Sequence, residues 1–500
     1  PDFAQVEADQ LVVTANQRFP IFFEEKRPFF LEGVEIFQTP VRVVHTRTIV
    51  DPDWALKLAG KRGRNSFGLL VASDKAPGNF SDVEREDPAI RPQIERFLDR
   101  NARVGVLRLK RDVGSQSSVG LIATSYDFVE RHNRLFGVDG RFTLGQQTVL
   151  GFQLLGTTSR RFFYDPDLDG STYRTGNGFG YSAQLQRTGR RVVLTLVGEG
   201  RTPDYRADVG FTTQTNVNDW SLVARYNSEP RTDSKLISWS VLNTTRAQFD
   251  WQGRMKYAYV YPRVLMNFKR QTYLNLYAYK DYLRLLEEEF GARRSAARPG
   301  AFAGDAGRRT IYHGFTFEAG TTPSKKYSAS IVVDRAWKNY DYDFGAGPRF
   351  PRVSPAALAG DPTAPLDPGT GDTLDINASL AWQPTDALRL SLNHVRSRLV
   401  RDDTGRVAYD QKLYSLKTTY QFTRFTFARA RADYDTLRSN VSGQFLFGWT
   451  PNPGTALYAG YNDDLSLNGF SPFTGRPEGG LRRNGRTFFV KMSYLWRRGL

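Results

Sequence analysis

Ala428-Arg429-Ala430-Arg431-Ala432-Asp433-Tyr434 alternates small or aromatic residues with charges at every second position. Period two marks a β-strand, whose successive side chains point to opposite faces. Ala428, Ala430, Ala432 and Tyr434 make one face that tolerates an apolar environment. Arg429, Arg431 and Asp433 make the other, which requires water: a charge turned toward lipid costs ~2–4 kcal/mol at mid-bilayer. A soluble β-sandwich shows the same alternation, so strand number, strand length and loop asymmetry have to decide.

The pattern recurs outward from this segment. Leu374, Ile376, Ala378, Leu380 and Trp382 alternate with Asp375, Asn377, Ser379 and Ala381. Leu390 and Leu392 alternate with Arg389, Ser391 and Asn393, and Phe315 and Phe317 flank Thr316 and precede Glu318. The same alternation predicts an outward set that includes Leu374, Ile376, Leu380, Leu390, Phe445, Phe447 and Val490. Boundaries drawn this way give about 22 strands, within a range of 18–24, each of roughly ten residues. The first is predicted at 41–50 and the last at 486–497. Connections alternate between short (145–148, 188–190, 269–271, 384–385, 423, 451–454) and long (75–100, 160–177, 201–215, 285–308, 339–372, 464–485). Short turns at one rim and long loops at the other are the signature of an outer-membrane barrel. The predicted fold is all-β: a transmembrane, antiparallel up-and-down barrel over 41–500, preceded by a lead-in at 1–40. Lipid contacts the outside, and both termini are expected on the periplasmic side.

Composition agrees. No stretch approaches the ~18 apolar residues of a membrane helix. Aromatics reach 13%, enough for interfacial girdles, and cysteine is absent, which excludes disulfides and thiolate chemistry. Lys+Arg exceed Asp+Glu by 69 − 52 = 17. The basic residues are scattered singly along strands, without the block of a nucleic-acid tail, so no nucleic-acid partner is expected. The predicted lumen-lining set is Glu318, Asp375, Asn377, Arg389, Arg429, Arg431 and Asp433, and its arginines suggest an anion-leaning pore. The chain opens at Pro1 without a signal peptide, which reads as a mature or truncated form. Phe488, Val490, Met492, Tyr494 and Trp496 form the apolar face of the last strand, similar to the terminal signal read by the barrel-insertion machinery; Arg497-Arg498-Gly499-Leu500 departs from a terminal aromatic.

Arg18-Phe19-Pro20-Ile21-Phe22-Phe23-Glu24-Glu25-Lys26-Arg27-Pro28-Phe29-Phe30-Leu31-Glu32-Gly33, followed by Thr46-Arg47-Thr48-Ile49 and Trp54–Lys61, resembles the bacterial outer-membrane family catalogued as domain of unknown function 5916. The similarity runs on through Tyr205-Arg206-Ala207-Asp208-Val209-Gly210-Phe211 and Asn218-Asp219-Trp220. The resemblance implies a barrel of unestablished function, often with an upstream domain similar to carbohydrate-binding module family 9, and supplies no catalytic residues. Physically, Glu24, Glu25, Lys26, Arg27 and Glu32 are too dense in charge to face lipid. They read as an inward-folded stretch that neutralises itself by ion pairing, or as a periplasmic lead-in.

Enzyme chemistry finds little support. His45, His132, His313 and His394 stand singly without metal-ligand spacing, and no nucleophile motif accompanies them. Asp165, Asp167 and Asp169 before Gly170 copy the first half of a calcium loop, but the twelfth position is Gly176 where a bidentate Glu is needed; a solvated acidic loop is the plainer reading. No cofactor is expected. Two functions remain: a channel or substrate-specific pore, with a small-molecule or saccharide ligand, and a scaffold barrel anchoring an upstream sugar-binding domain.

Overall fold

Residues 10–345, 353–360, 366–452, 455–467 and 480–494 are described in the computed structural model. Their strands are β1 (Pro52–Arg62), β2 (Asn65–Asp74), β3 (Ala102–Val113), β4 (Ser117–Phe128), β5 (Arg131–Leu144), β6 (Thr148–Asp165) and β7 (Gly170–Thr188). Then come β8 (Val192–Arg201), β9 (Val217–Asn227), β10 (Leu236–Phe249), β11 (Met255–Phe268), β12 (Thr272–Leu286), β13 (Gly307–Ser324) and β14 (Tyr327–Tyr340). The last are β15 (Thr370–Trp382), β16 (Leu388–Arg401), β17 (Val407–Gln421), β18 (Thr426–Asp435), β19 (Asn440–Asn452), β20 (Thr455–Leu467) and β21 (Leu481–Tyr494). All 21 belong to one sheet, and each pairs antiparallel with the next along the chain.

Alternation sorts the side chains as the sequence predicts. Leu380, Trp382, Leu392, Phe445, Phe447 and Val490 are exposed on the outer face. Their neighbours in the chain point inward. No helix among the described residues is long and apolar enough to cross a membrane; the strands cross it. Ile376 also faces outward, but it lies opposite Arg396, which pairs with Asp410, so it marks the edge of the apolar band. The middle of the band runs through Leu380 and Leu392, which face each other.

Three sequence expectations change. The stretch at 41–50 is not a strand. It lies inside the barrel, with a 3-10 turn at Thr46–Thr48, and Val43 and Ile49 are fully buried. Removing it from the predicted set leaves the 21 strands observed. The loop predicted at 160–177 is mostly strand: β6 and β7 run on to a tight turn at 166–169, where Asp165 pairs with Gly170. The third change follows from the odd strand number. β1 starts at the rim carrying the long connections 75–101, 202–216, 287–306 and 341–369, whereas β21 ends at the rim of short turns. Asn16 and Arg18 contact Asp343 and Glu289 of those long connections. The described start of the chain is therefore at the long-loop rim, opposite the end of β21. Pro1 to Asp9, Trp496 and the four residues after it lie outside the described residues.

The register predicts a sharp asymmetry between neighbours on β15. Leu380→Arg is expected to cost the barrel ~2–4 kcal/mol, and Asn377→Arg, exposed on the inward face, much less. Urea unfolding in lipid vesicles measures both, and equal costs would refute the assigned faces.

Candidate functional site

Among the described residues two irregular segments pack together inside the sheet, and side chains and each other's backbone supply their hydrogen bonds. Residues 10–51 run inward from the long-loop rim and return to it. Glu25 accepts from the Lys26 and Arg27 amides at 3.0 and 2.9 Å, and its carboxylate pairs with the Arg27 guanidinium at 2.7 Å. Arg27 also donates to the carbonyls of Ile49 and Thr46 at 2.7 and 2.9 Å, so one guanidinium ties the beginning of the segment to its end. Burial alone would raise the Glu25 carboxyl. The bonds from Arg27 and the Thr46 hydroxyl outweigh it and hold the group down at about 2. The expected self-neutralising cluster is thus built on Glu25 and Arg27. Glu24 offers its carbonyl to Arg47, and Lys57 of β1 reaches the carbonyls of Phe29 and Glu32.

The second segment is 202–216, between β8 and β9. It docks on the first: His45 N donates to Val209 O at 2.8 Å, and Phe211 N to Arg42 O at 3.1 Å. Val41 and Val43 pack with Tyr205 and Ala207 against Ile122, Leu135 and Leu155 of the wall. Two groups of the residues that carried the family resemblance, in 18–49 and in 205–211, are therefore one packing unit. Gly176, Gly178 and Gly180 supply the seat on β7. A Cβ at Gly178 would lie 2.5 Å from the Tyr205 backbone nitrogen, so only glycine permits the approach. Burial raises the Tyr205 hydroxyl to about 12, and also lowers His45, whose ring lies 4.8 Å from Phe22. On the wall behind, Arg108 of β3 reaches across β4 to Asp139 of β5, its Nη2 2.9 Å from the carboxylate. Gly120 lies beneath that guanidinium, where a Cβ would fall 2.6 Å from Nη1.

The opposite wall, β10–β15, carries hydroxyls and carboxylates. Tyr257 and Tyr261 both donate to Asp281 at 2.8 Å, and Tyr279 donates to Asp334 at 2.7 Å. Asp375 faces Asp334 across the β14–β15 pair. Glu318 accepts from Asn275 at 2.6 Å and stands 3.8 Å from Arg263. Between this wall and the inward segment is a cavity of about 830 Å³, bordered by Phe19, Asp219, Arg246, Tyr257, Tyr259 and Tyr342 among others.

Arg389, Arg429 and Arg431 form a separate group, nearer the short-turn rim. Arg429 faces Thr419, which faces Arg389; Arg431 faces Lys417. Arg431 pairs with Asp433 at 2.8 Å. Lys417 completes this patch and was not singled out in the sequence, although its position opposite Arg431 follows once the register is known. The remaining candidates are not brought together. Asp165, Asp167 and Asp169 sit in the β6–β7 turn, engaged by the Asp167 amide, Arg293 and the Tyr164 hydroxyl respectively. Among the described residues no three His, Cys, Asp or Glu side chains converge as for a metal. His313 and His394 stack on Trp337 and Tyr414.

Two outcomes test the docked unit. The Glu25 carboxyl is depressed, so its contribution is complete above the ordinary value near 4.5 and is lost as pH falls through about 2. Hydrogen exchange at the Lys26 and Arg27 amides, corrected for intrinsic rates, should stay protected from pH 7 to 4.5 and lose protection toward pH 2. Glu25→Gln should remove that step; an unchanged profile would contradict the assignment. Separately, Gly178→Ala should undock 202–216, raising protease cleavage there several-fold while the barrel keeps its heat-modifiable mobility on gels. Unaltered cleavage would show that the seat is not needed.

Comparison with known proteins follows the geometry. Residues 1–49 match the family model described as "Domain of unknown function (DUF5916)". No curated protein matches the chain. Among solved structures, a variant of the ferric enterobactin receptor PfeA from Pseudomonas aeruginosa is similar over 88% of this chain and 77% of its own, with TM-score 0.52 and 10% identity. A structure described as the copper transporter OprC gives the same coverage, TM-score and identity. At these identities the likeness is one of fold: the chain has the architecture of an outer-membrane β-barrel.

Proposed function

We propose that the protein is an outer-membrane transport barrel, a substrate-specific pore whose lumen is narrowed on one side by the docked segments. The observation that carries this reading is the β10–β15 wall. It borders a cavity with tyrosine rings and a few placed polar groups such as Arg246, the mixture that small-molecule sites use. The likeness to barrels described as a ferric enterobactin receptor and a copper transporter supports the same class. In this reading the long-loop rim faces outward and the short turns face the periplasm.

The pore prefers anions. Arg389, Lys417, Arg429 and Arg431 share one stretch of inward wall, with Asp433 against them. In a confined channel a small excess of one sign sets the local potential, and salt screens it less than it screens loop charges. The docking of 10–51 favours the second reading, a scaffold barrel that holds an upstream domain, and one experiment separates the two. Reversal potential across a planar bilayer under a salt gradient should report anion selectivity for the native protein. Arg429→Glu/Arg431→Glu should move it toward cations. Native cation selectivity would overturn the preference, and absence of conductance would leave the scaffold.

A further inference from the structure

Tyr257, Tyr259 and Tyr261 occupy three consecutive inward positions on β11, with ring centroids 5.3 and 4.2 Å apart. Tyr279 on β12 continues the row 5.2 Å from Tyr261. One step nearer the short-turn rim, Tyr277 carries the Arg263 guanidinium over its ring at 5.5 Å. A ladder of aromatic rings therefore follows the strands toward the other rim, and Tyr257 and Tyr259 border the cavity beneath the long loops. Phe19 of the inward segment borders the same cavity and is itself exposed.

Charged groups along this row have partners within the wall, guanidinium groups on a carboxylate or an amide and carboxylates on hydroxyls. Arg246 Nε donates to Asp219 at 2.7 Å, and Asp281 is held between two tyrosine hydroxyls. Arg263 donates to Asn275, which donates to Glu318. A charged ligand would have to compete with these pairs. An apolar ligand would cover carboxylates and guanidinium groups without replacing their water. A neutral ring bearing many hydroxyls does neither. Its C–H face stacks on an aromatic ring, and its hydroxyls donate to carboxylates and accept from guanidinium and amide N–H groups.

We propose that the row from Tyr257 to Tyr277 is a track for linear, neutral oligosaccharides, loaded at the long-loop cavity. It deepens the transport reading and rests on it. Successive rings along one strand repeat the same contact, so a linear chain can advance by exchanging one ring for the next without leaving the wall.

The test uses the full chain in detergent and in planar bilayers, with maltohexaose and cellohexaose as probes and a polyethylene glycol of matched length as control. Calorimetry should show binding of at least one sugar and none of the glycol. The same sugar should interrupt the current. Tyr259→Ala should weaken binding about tenfold, the loss expected for one stacking ring, while Tyr259→Phe should stay within about twofold. Should Tyr259→Ala fail to insert, Tyr277→Ala carries the same expectation. Sugar binding without conductance would uphold the track and reject transport. Conductance with neither sugar bound, or binding unchanged in the alanine variant, would reject the track and leave transport standing.

Discussion

A charge on the outer face of a strand has no solvent in the bilayer, and at mid-depth its cost is ~2–4 kcal/mol. That constraint orders the whole molecule. It sends Arg429, Arg431 and Asp433 inward and leaves Ala428, Ala430 and Ala432 outside. Because the side-chain period is two, it also fixes the register of each strand against its neighbours. The lumen then collects the polar half of every strand, and its chemistry is decided by which of those residues meet.

Lumen-filling chain faces the opposite difficulty. Irregular backbone inside a barrel must find hydrogen bonds that no ladder supplies. Residues 10–51 find them through Glu25 and Arg27, through the Val41 amide donating to Gln153 Oε1 at 2.6 Å, and through the exchange with 202–216. Hydrophobic contact adds to this, since Phe30, Ile49 and Val209 are buried with Leu70 and Val106 of the wall. The result is an interior packed against β1–β7, with smaller apolar clusters near the long-loop rim of β11–β17 and a cavity between.

The strands were legible in the sequence because alternation is local. The stretch at 41–50 deceived because Val41, Val43 and Ile49 share the β-branched character of a strand. What differs is burial on all sides among the inner segments, which no local pattern reports. The inward parity of Arg429, Arg431 and Asp433 could be read from alternation alone, whereas the charge-dense run at Glu24 to Arg27 did not say which of its members pair. The Arg108–Asp139 bridge was not legible, because it needs the register of three strands to bring Gly120 under the guanidinium. Nor was the seat for Tyr205: Gly176, Gly178 and Gly180 read as a glycine-rich run, and only the loop returning from 202–216 gives them a purpose. Tyr257, Tyr259 and Tyr261 were visible as alternate positions, but their carboxylate partner Asp281 comes from the next strand.

The two sides of the lumen differ in what it would take to move them. Releasing 10–51 would break the Val41 bond to Gln153 and the two backbone bonds to 202–216, and each buried polar group left without a partner costs ~1–3 kcal/mol. It would also return Phe30, Ile49 and their neighbours to water, at ~1.5–3 kcal/mol for each large side chain. Those sums exceed what thermal motion supplies on the timescale of passive flux. The tyrosine wall asks for no such rearrangement. Tyr257 and Tyr261 already hold Asp281, Tyr279 already holds Asp334, and the cavity lies beside the docked segment. A solute entering that cavity would therefore meet the tyrosines without first displacing the inward segment.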